Sequence, residues 1–425
     1  MRTTIKSQRL YESGSKYLFE ATHYATPIIE RGKGTVVWDV DGNRYYDLNA
    51  GQFCMCFGHG YAPFCRCVKE QLERIYHTNT ATLSPEVLEA AEKLASITDY
   101  KLTKSLFLST GSEANECAIR YAKYITGKNG IISFSQGYHG LTLGSQASTM
   151  GGVWAKPQVN MTYAVKTPNY IHSGKVVQED EFINECIEDV KETFAKYGTE
   201  IAAVIMEPVI GVGGMVTVPE EYLRTVRSLC DEHDVILIFD ECQCGFGRCG
   251  NWFAYQKVNV VPDILVTAKS MGMGLAVSAV TFKAELAEKI EGKLVHFSSH
   301  QNDPLSARVV SFVIDEIKKH NLLESNLKKG QYLLAMLKRI CAKRDELCNP
   351  RGNGLMCAFD IDDSKIKNYK EYSSRFIEAM EENGVLIQAV RQGRTFRIMP
   401  NYFVSYDEID DLESAIMMSV DSMAI

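Results

Sequence analysis

The sequence contains no run of about 18 or more apolar residues, no low-complexity stretch and no internal repeat. A membrane-spanning helix needs about 20 predominantly apolar residues, so the sequence predicts no membrane span. The first residues, Met1–Lys6, also lack the apolar segment of a secretory signal peptide. From these absences we expect a cytoplasmic protein.

Positive charge is scarce as well. The 46 Lys and Arg residues are outnumbered by 53 Asp and Glu residues, the net charge is -7, and no basic block occurs. This balance argues against a nucleic-acid-binding surface. A chain of 425 residues is too long for one ordinary core. We expect an N-terminal part of a small domain with a dimer arm (1–83), a large domain (84–310), and a connecting helix with the C-terminal small domain (311–425).

Cysteine pairs with metal-ligand spacing are missing. The 13 cysteines are odd in number, and no two of them are three positions apart, as a C-x-x-C pair requires. Two clusters that invite a metal interpretation are Cys54, Cys56, Cys65 and Cys67, and Cys242, Cys244 and Cys249. Without the usual ligand spacing, we interpret the cysteines as reduced thiols that mostly pack in the interior, and we predict no metal site.

The pattern of apolar residues predicts an α/β fold. A hairpin is predicted around Asp41-Gly42, and a long helical stretch followed by strand-like and helical pieces is predicted after Pro304. In between, strands and helices alternate, which favours a mainly parallel sheet covered by helices. The predicted strands are Leu106–Leu108, Ile131–Phe134, Ala202–Met206, Val235–Phe239 and Ile264–Ala268, and the main predicted helices are Pro85–Ile97, Ser112–Ile125 and Glu220–His233.

Asp240 and Lys269 each follow one of these apolar runs. Pyridoxal phosphate chemistry needs an amine that holds the aldehyde as a Schiff base and a carboxylate that keeps the pyridine nitrogen protonated. Two adjacent strand ends can present both groups. By itself, an acid at a strand end is often structural, because it caps a helix or binds a surface base.

A third candidate segment, Ser109–Asn115, lies where a strand meets a helix. Backbone N–H groups at a helix N-terminus can hold a dianionic phosphate, and Gly111 permits close approach while Ser112 adds a hydroxyl. The alternative is an ordinary helix cap, because a Ser or Thr followed three residues later by Glu is common at helix starts.

Taken together, these segments resemble the class III (ω-type) aminotransferases of fold type I. The family pattern Asp-Glu-x-Gln-x-Gly-x-Gly-Arg, with a strand-terminal lysine about thirty residues further on, is matched by Asp240–Arg248 and Lys269. Further matches run along nearly the whole chain: Trp38–Asp47, Gly58–Gly60, Ser109–Asn115, Gly137–Gly140, Glu207-Pro208 and Arg397–Pro400. The resemblance implies a seven-stranded, mainly parallel sheet and a small α+β domain built from both termini.

The resemblance also implies the cofactor pyridoxal 5'-phosphate and a role for each matching residue. Lys269 would carry the Schiff base and shuttle the proton, Asp240 would pair with the pyridine nitrogen, and Gln243 would approach the phenolic oxygen. Tyr138 would stack on the ring, and Gly111 with Ser112 would hold the phosphate. Ser299 stands where the family often has a threonine that reaches the phosphate of the partner subunit, which implies a homodimer with a shared active site.

Three further residues bear on the substrate. Arg397 can hold a carboxylate through two parallel hydrogen bonds, or it can form an ion pair with Glu207, which many family members use as a substrate-dependent switch. Gln52, together with Asp303-Pro304-Leu305, resembles dialkylglycine decarboxylase, in which the glutamine helps to hold the scissile carboxylate. Gln52 is equally compatible with binding any α-carboxylate, and Tyr138 differs from the tryptophan of that enzyme.

The sequence therefore predicts an aminotransferase that moves an amino group from a carboxylate-bearing donor to an oxo acid or aldehyde. The alternatives that keep the cofactor are decarboxylation-dependent transamination, racemisation and an intramolecular amino shift. A catalytically silent binding protein with the same fold is a further alternative. It is disfavoured because Lys269, Asp240, Gln243 and the phosphate segment are all retained.

Overall fold

A seven-stranded sheet forms the centre of the computed structural model, which describes residues 4–21, 24, 27–150, 161–172 and 178–423. Its strands, in spatial order, are β4 (Lys104–Leu108), β12 (Ser278–Phe282), β11 (Ile264–Thr267), β10 (Ile236–Asp240), β7 (Ile201–Met206), β5 (Gly130–Phe134) and β6 (Thr162–Val165). The neighbours from β11 to β6 pair in parallel, and β12 runs antiparallel to both β11 and β4. The predicted α/β class with a mainly parallel sheet is confirmed.

The strands at the middle of this sheet are buried on both faces. Every residue of β7, β10 and β11 is buried, as expected for parallel strands that are covered by helices on each side. This double burial explains why their apolar runs were recognisable in the sequence. The strands β6 and β12 were not predicted, because Thr162–Val165 and Ser278–Phe282 are short and contain hydroxyl side chains.

Helices cover the sheet and connect its strands. A typical example is the helix at Glu220–Glu232, which buries Tyr222, Leu223, Val226 and Cys230 at helical spacing and exposes its charged face. The helices are α1 (Ile5–Gly14), α2 (Ala50–Phe53), α3 (Ala62–Arg74), α4 (Pro85–Ile97), α5 (Gly111–Thr126), α6 (Leu143–Ala147), α7 (Glu179–Tyr197), α8 (Glu220–Glu232), α9 (Tyr255–Val258), α10 (Ala284–Ala287), α11 (Pro304–Lys319), α12 (Leu322–Lys343), α13 (Tyr369–Glu382) and α14 (Tyr406–Met423).

The predicted long helical stretch after Pro304 is two helices. α11 ends at Lys319, and α12 begins at Leu322 after Asn321, whose φ is +47°. Asparagine tolerates this left-handed conformation better than most residues, so it breaks the helix at low cost.

Two four-stranded sheets are built from the two ends of the chain. The first contains β1 (Ile29–Lys33), β2 (Val36–Asp39), β3 (Arg44–Asp47) and β15 (Val385–Leu386), and the second contains β13 (Leu347–Asn353), β14 (Met356–Ile361), β17 (Thr395–Ile398) and β16 (Gln388–Val390). β2 and β3 form the predicted hairpin, and β15 pairs in parallel with β3. The N-terminal and C-terminal segments therefore share a sheet, as predicted. A two-stranded ribbon of β8 (Val209–Ile210) and β9 (Val216–Thr217) completes the strands described.

Two absences bear on the sequence predictions. Within the described parts of the chain, no helix is both long and apolar enough to cross a membrane. All 13 cysteines are free, and most of them are buried, which agrees with packing thiols.

A buried polar cluster joins the C-terminal sheet to the turn Tyr170–His172 and to the loop between β8 and β9. Asp360 on β14 accepts hydrogen bonds from His172 Nε2 at 2.8 Å, Arg351 Nη2 at 2.8 Å and Thr395 Oγ1 at 2.6 Å. Although burial opposes ionisation, His172 and Arg351 hold the pKa of Asp360 far below its usual range. Arg351 Nε in turn donates to the carbonyl of Gly214 at 2.6 Å. The cluster thereby secures the loop between β8 and β9.

We expect Asp360→Ala to lower the free energy of unfolding by about 3–5 kcal/mol, because it leaves Arg351 and His172 buried without their common anion. The measurement is urea denaturation at neutral pH. The control is Asp363→Ala, whose carboxylate pairs with Arg394 but is 51% exposed, so its removal should cost at most about 1 kcal/mol. Equal midpoints for the two variants would contradict a stabilising role for the buried cluster.

Candidate active site

Asp240 and Lys269 lie at the same edge of the central sheet. Asp240 is the last residue of β10 and pairs in register with Val266 of the parallel strand β11, and Lys269 follows β11 by two residues. The carboxyl ends of parallel strands form the edge where α/β proteins bind ligands. A cavity of about 150 Å³ opens there, lined by Thr110, Gly111, Ser112, Asn115, Tyr138, His139, Gly140, Glu207, Asp240, Cys242, Gln243 and Lys269. Cavities of this volume can hold one aromatic ring.

The Asp240 carboxylate is buried and accepts three hydrogen bonds. Its Oδ2 atom accepts from Asn115 Nδ2 at 2.7 Å and from His139 Nδ1 at 2.9 Å, and its Oδ1 atom accepts from the backbone N–H of Cys242 at 3.0 Å. Burial opposes ionisation, but the hydrogen bonds from His139 and Cys242 hold the pKa of Asp240 below its usual range. The cavity therefore contains a permanent negative charge in a fixed orientation.

His139 was assigned no role from the sequence, and Asn115 was considered only as part of a loop. In the structure His139 is 2% exposed and its Nε2 atom has no partner among the described residues. Asn115 also donates to the carbonyl of His139 at 2.8 Å. These two residues set the position of Asp240. In the sequence, the signal for these residues was their place in the motifs Ser109–Asn115 and Gly137–Gly140. Nothing in either motif reveals a contact with Asp240, which lies more than 100 positions further along the chain.

Lys269 has a strained backbone. Its φ is +52°, a conformation that costs a residue with a side chain about 1–2 kcal/mol. It begins the short 3₁₀ turn Lys269–Gly272 directly after the strand. Strain of this kind persists only where the surrounding structure enforces it, and it concentrates at functional sites.

The N-terminus of α5 faces the same cavity. Thr110 caps this helix by accepting from the N–H of Glu113 at 3.2 Å, so the cap predicted as the structural alternative is present. Gly111 and Ser112 still line the cavity with the positive end of the helix dipole. A Cβ on Gly140, whose φ is +114°, would lie 2.2 Å from Ser112 Oγ. This close approach requires glycine and brings a second backbone segment against Ser112.

Gln243 and Tyr138 complete the cavity wall. The Gln243 amide is 8% exposed, and its Oε1 atom has no partner among the described residues, so the amide retains hydrogen-bonding capacity for a bound group. Tyr138 is half-buried and donates its backbone N–H to Glu207 Oε1 at 3.0 Å. Burial, with the charges of Asp240 and Glu207, raises the pKa of the Tyr138 hydroxyl, which therefore stays neutral.

Arg397, on β17, does not line this cavity, but the charge of Glu207, which does line it, acts on the guanidinium. Arg397 is 4% exposed, its guanidinium lies 4.5 Å from the centre of the Phe53 ring, and its Nη2 atom donates to Gln388 Oε1 at 2.8 Å. Burial lowers the pKa of Arg397 to about 10, while the charge of Glu207 acts to raise it. The guanidinium thus remains charged at neutral pH.

The ion pair between Arg397 and Glu207, one of the two alternatives for Arg397, is not formed. Both oxygens of Glu207 accept backbone N–H groups instead, from Tyr138 and, at 2.9 Å, from Gly211. Burial raises the pKa of Glu207 to about 7, and the charge of Asp240 adds to this effect. Among the residues described, no carboxylate forms a salt bridge with Arg397.

A family model with the description Aminotransferase class-III matches residues 19–420. The chain belongs to the class III aminotransferases. It is 31% identical to the acetylornithine aminotransferase of Methanothermobacter thermautotrophicus, over 96% of this chain and 97% of that protein. It is 30% identical to the leucine/methionine racemase of Thermococcus litoralis, over 97% of this chain and 96% of that protein.

Solved structures of aminotransferases have the same fold. An amine transaminase from an uncultivated Pseudomonas species, solved in its PLP-bound form, is 27% identical and superposes with a TM-score of 0.89, covering 96% of this chain and 98% of that one. This similarity confirms fold type I, and the match to the class III family together with its aminotransferase relatives supports transamination as the activity.

Seven residues predicted for the site of this aminotransferase lie together around the cavity: Gly111, Ser112, Tyr138, Glu207, Asp240, Gln243 and Lys269. Gln52 and Arg397 are joined by hydrogen bonds through Gln388, which was not predicted from the sequence, and none of the three lines the cavity. Ser299 is exposed and does not line the cavity of its own chain, a position compatible with a role toward a second subunit.

Proposed function

We propose that this class III aminotransferase binds pyridoxal 5'-phosphate in the cavity between Asp240 and Lys269. The observation that carries the proposal is the charged Asp240, fixed by Asn115 and His139 at the same sheet edge as the Lys269 amine. The α5 N-terminus with Gly111 and Ser112 suits the phosphate, Gln243 suits the phenolic oxygen, and Tyr138 suits the ring face. The donor set therefore fits this cofactor.

When bound, pyridoxal phosphate supplies an electron sink for a carbanion at the substrate α-carbon. Asp240 keeps the ring nitrogen protonated through its negative charge. Lys269 holds the cofactor before the substrate arrives, and its Nζ atom then accepts the proton from the donor α-carbon and returns one at the end of each half-reaction. Tyr138 orients the ring, and Arg397 with Gln52 holds the donor carboxylate.

The reaction that this arrangement supports best moves an amino group from a carboxylate-bearing donor to an oxo acid or aldehyde, in two half-reactions. A panel of amino donors tests it, with the oxo product, carbon dioxide and the inverted amino acid measured in parallel. Formation of oxo product in proportion to aminated acceptor supports the proposal. Absence of amine transfer with every donor would overturn it.

Racemisation is the second candidate, because one relative of 30% identity is a leucine/methionine racemase. In the same panel, inversion of leucine or methionine without net consumption of an acceptor would favour the racemase. Carbon dioxide release would favour the decarboxylating alternative that Gln52 suggested.

We also propose a homodimer in which Ser299 reaches the phosphate site of the partner subunit. Two observations support this proposal: Ser299 is exposed near the N-terminus of α11, and it does not line the cavity of its own chain. Sedimentation of the purified enzyme tests the dimer. Ser299→Ala should weaken cofactor affinity, because the bond from the hydroxyl to the partner's phosphate site is lost.

The division into residues 1–83, 84–310 and 311–425 stays a proposal supported by the three main sheets. The cytoplasmic location stays a prediction.

We expect Gly140→Ala to weaken cofactor binding by at least about tenfold, because the added methyl group meets Ser112 at the phosphate site and the φ of +114° disfavours alanine. The measurement is cofactor affinity by absorbance titration of the apoenzyme. The matched control is Gly127→Ala at the other end of α5, where φ is +70° and nothing lies within 4 Å of the added Cβ. The control should lose stability but keep its cofactor affinity.

A further inference from the structure

Among the residues that the structure describes, no carboxylate forms a salt bridge with the buried guanidinium of Arg397. Its side chain is 4% exposed, its Nε atom is buried without a partner, and its one described hydrogen bond is to a neutral amide. Leaving a buried charge unpaired is costly, and an Arg–carboxylate pair is among the strongest ways to relieve it. The guanidinium is therefore prepared for an anion from outside the chain.

Gln388 is the residue that holds Arg397 in this state. The two residues are direct cross-strand neighbours in the antiparallel pair of β16 and β17, so their side chains lie on the same face. Gln388 Oε1 accepts from Arg397 Nη2 at 2.8 Å, and Gln388 Nε2 donates to Gln52 Oε1 at 2.8 Å. Gln52 uses its oxygen in this hydrogen-bond series, so its amide N–H groups remain available as donors. The two ends of the series, the Arg397 guanidinium and the Gln52 amide, therefore both offer donors, which suits a carboxylate.

A strained turn positions the other half of this group. The short segment α2, Ala50–Phe53, has φ values of +43°, +54°, +62° and +67°, so it is a left-handed turn and not a right-handed helix. Asp47 stabilises it by accepting the N–H of Gly51 at 2.8 Å, and His59 Nε2 lies 2.7 Å from the same carboxylate oxygen. The turn places the Phe53 ring against the guanidinium and Gln52 against Gln388. Such strain is maintained where a side-chain position matters.

Glu207 does not compete for the guanidinium in this arrangement. Its two oxygens are used by backbone N–H groups, and burial leaves it only partly ionised near neutral pH. A substrate without a carboxylate would therefore leave Arg397 with the neutral Gln388, the Phe53 ring and the partial charge of Glu207, without a directly bonded anion. The free-energy cost of leaving this guanidinium without a bonded anion would arise when the amino donor lacks a carboxylate and again when the acceptor lacks one.

We infer that Gln388 is a specificity-determining residue that reserves Arg397 for the carboxylate next to the reacting carbon, so that both half-reactions require α-carboxylate substrates. The inference rests on the proposed function and narrows it to α-amino acids as donors and 2-oxo acids as acceptors. Gln388 acts through Arg397 and Gln52 as a positioning residue.

The first test compares substrates that differ only in this carboxylate. It uses the best amino acid of the donor panel and the amine that lacks its carboxylate, which for leucine is 3-methylbutylamine, and then pyruvate against acetaldehyde as acceptors. We expect kcat/KM to favour the carboxylate-bearing member by at least about 100-fold in each half-reaction. Comparable use of both members in either half-reaction overturns the inference, whereas absence of any amine transfer concerns the proposed function instead.

The second test changes Gln388. Gln388→Leu should raise the KM of the amino acid about tenfold with little change in kcat, because a bond to a charged group and the orientation of Gln52 are lost from binding. Gln388→Glu supplies a permanent counter-ion, so it should lower the preference for the carboxylate-bearing member by at least about tenfold. The more conservative Gln388→Asn keeps the amide and tests the role if the other variants fold poorly.

The matched control is Gln331→Glu, which makes the same charge change on the exposed face of α12. It should leave the substrate preference at the wild-type value. Cofactor absorbance and melting temperature of each variant confirm that the active site is assembled. A correctly folded Gln388→Glu enzyme with the wild-type substrate preference overturns the inference.

Discussion

Lys269→Ala is expected to lower transamination by about 10⁴-fold or more, because it removes both the anchor of the cofactor and the base that moves the α-proton. Positioned proton transfer alone contributes up to about 10⁴-fold. The fold should survive, since Lys269 is only partly buried and no resolved side-chain hydrogen bond of the described residues depends on it. The measurement is single-turnover conversion of donor to oxo acid with the cofactor added in excess.

Two controls define this result. Lys269→Arg keeps a positive charge at the strand end but cannot form the covalent bond, so it should be as inactive as the alanine variant. Lys257→Ala removes an exposed lysine of α9 and should retain full activity. Both position-269 variants should also lose the absorbance band of the lysine-linked cofactor. Substantial transamination by either of them would remove Lys269 from its proposed role.

Asp240→Asn is expected to reduce kcat by about 100- to 1,000-fold while the variant still binds the cofactor. The amide has the shape of the carboxylate but no negative charge, so the ring nitrogen loses the group that keeps it protonated, and preorganised electrostatic groups typically contribute this much. Asn115 and His139 both donate to Oδ2, so an asparagine that keeps its oxygen there retains these two bonds, while the N–H of Cys242 loses its acceptor. The measurement is kcat with the best donor, together with cofactor affinity.

For this prediction the matched control is Asp231→Asn on α8, whose carboxylate is 66% exposed in its pair with Arg227. It carries the same chemical change outside the site and should have wild-type kcat. Asp240→Glu provides a second comparison, because it keeps the charge and should recover part of the activity. An Asp240→Asn enzyme with wild-type kcat would show that the charge is not used.

Much of the fold was predictable because its central strands are buried on both sides. The short, largely apolar runs before Asp240 and Lys269 suit a doubly covered strand, and their alternation with helical segments favoured that prediction. The strands β6 and β12 were missed because hydroxyl residues weaken the apolar signal of four- and five-residue segments. The break at Asn321 was missed because a single left-handed residue leaves the surrounding helical pattern unchanged.

The candidate site divides in a similar way. Asp240, Gln243 and Lys269 were found because each belongs to a contiguous motif at the end of a strand, where local sequence and position coincide. The roles of His139 and Gln388 were not predicted, because they depend on residues that are far away in the sequence. The strands β6 to β9 lie between His139 and the strand that ends at Asp240, and Gln388 gains its partner Gln52 only where the N-terminal and C-terminal segments meet.

By itself, the sequence determined that the chain forms an α/β aminotransferase, because apolar runs, helix caps and the family motifs are local properties. Only the tertiary structure decided that Glu207 bonds to backbone N–H groups, that Arg397 lies opposite Gln388, and that a left-handed turn presents Gln52 to Gln388. The physical reason is that a buried polar side chain bonds to the partner that strand register and tertiary packing bring within hydrogen-bonding distance. Residue type alone does not specify the register or the packing.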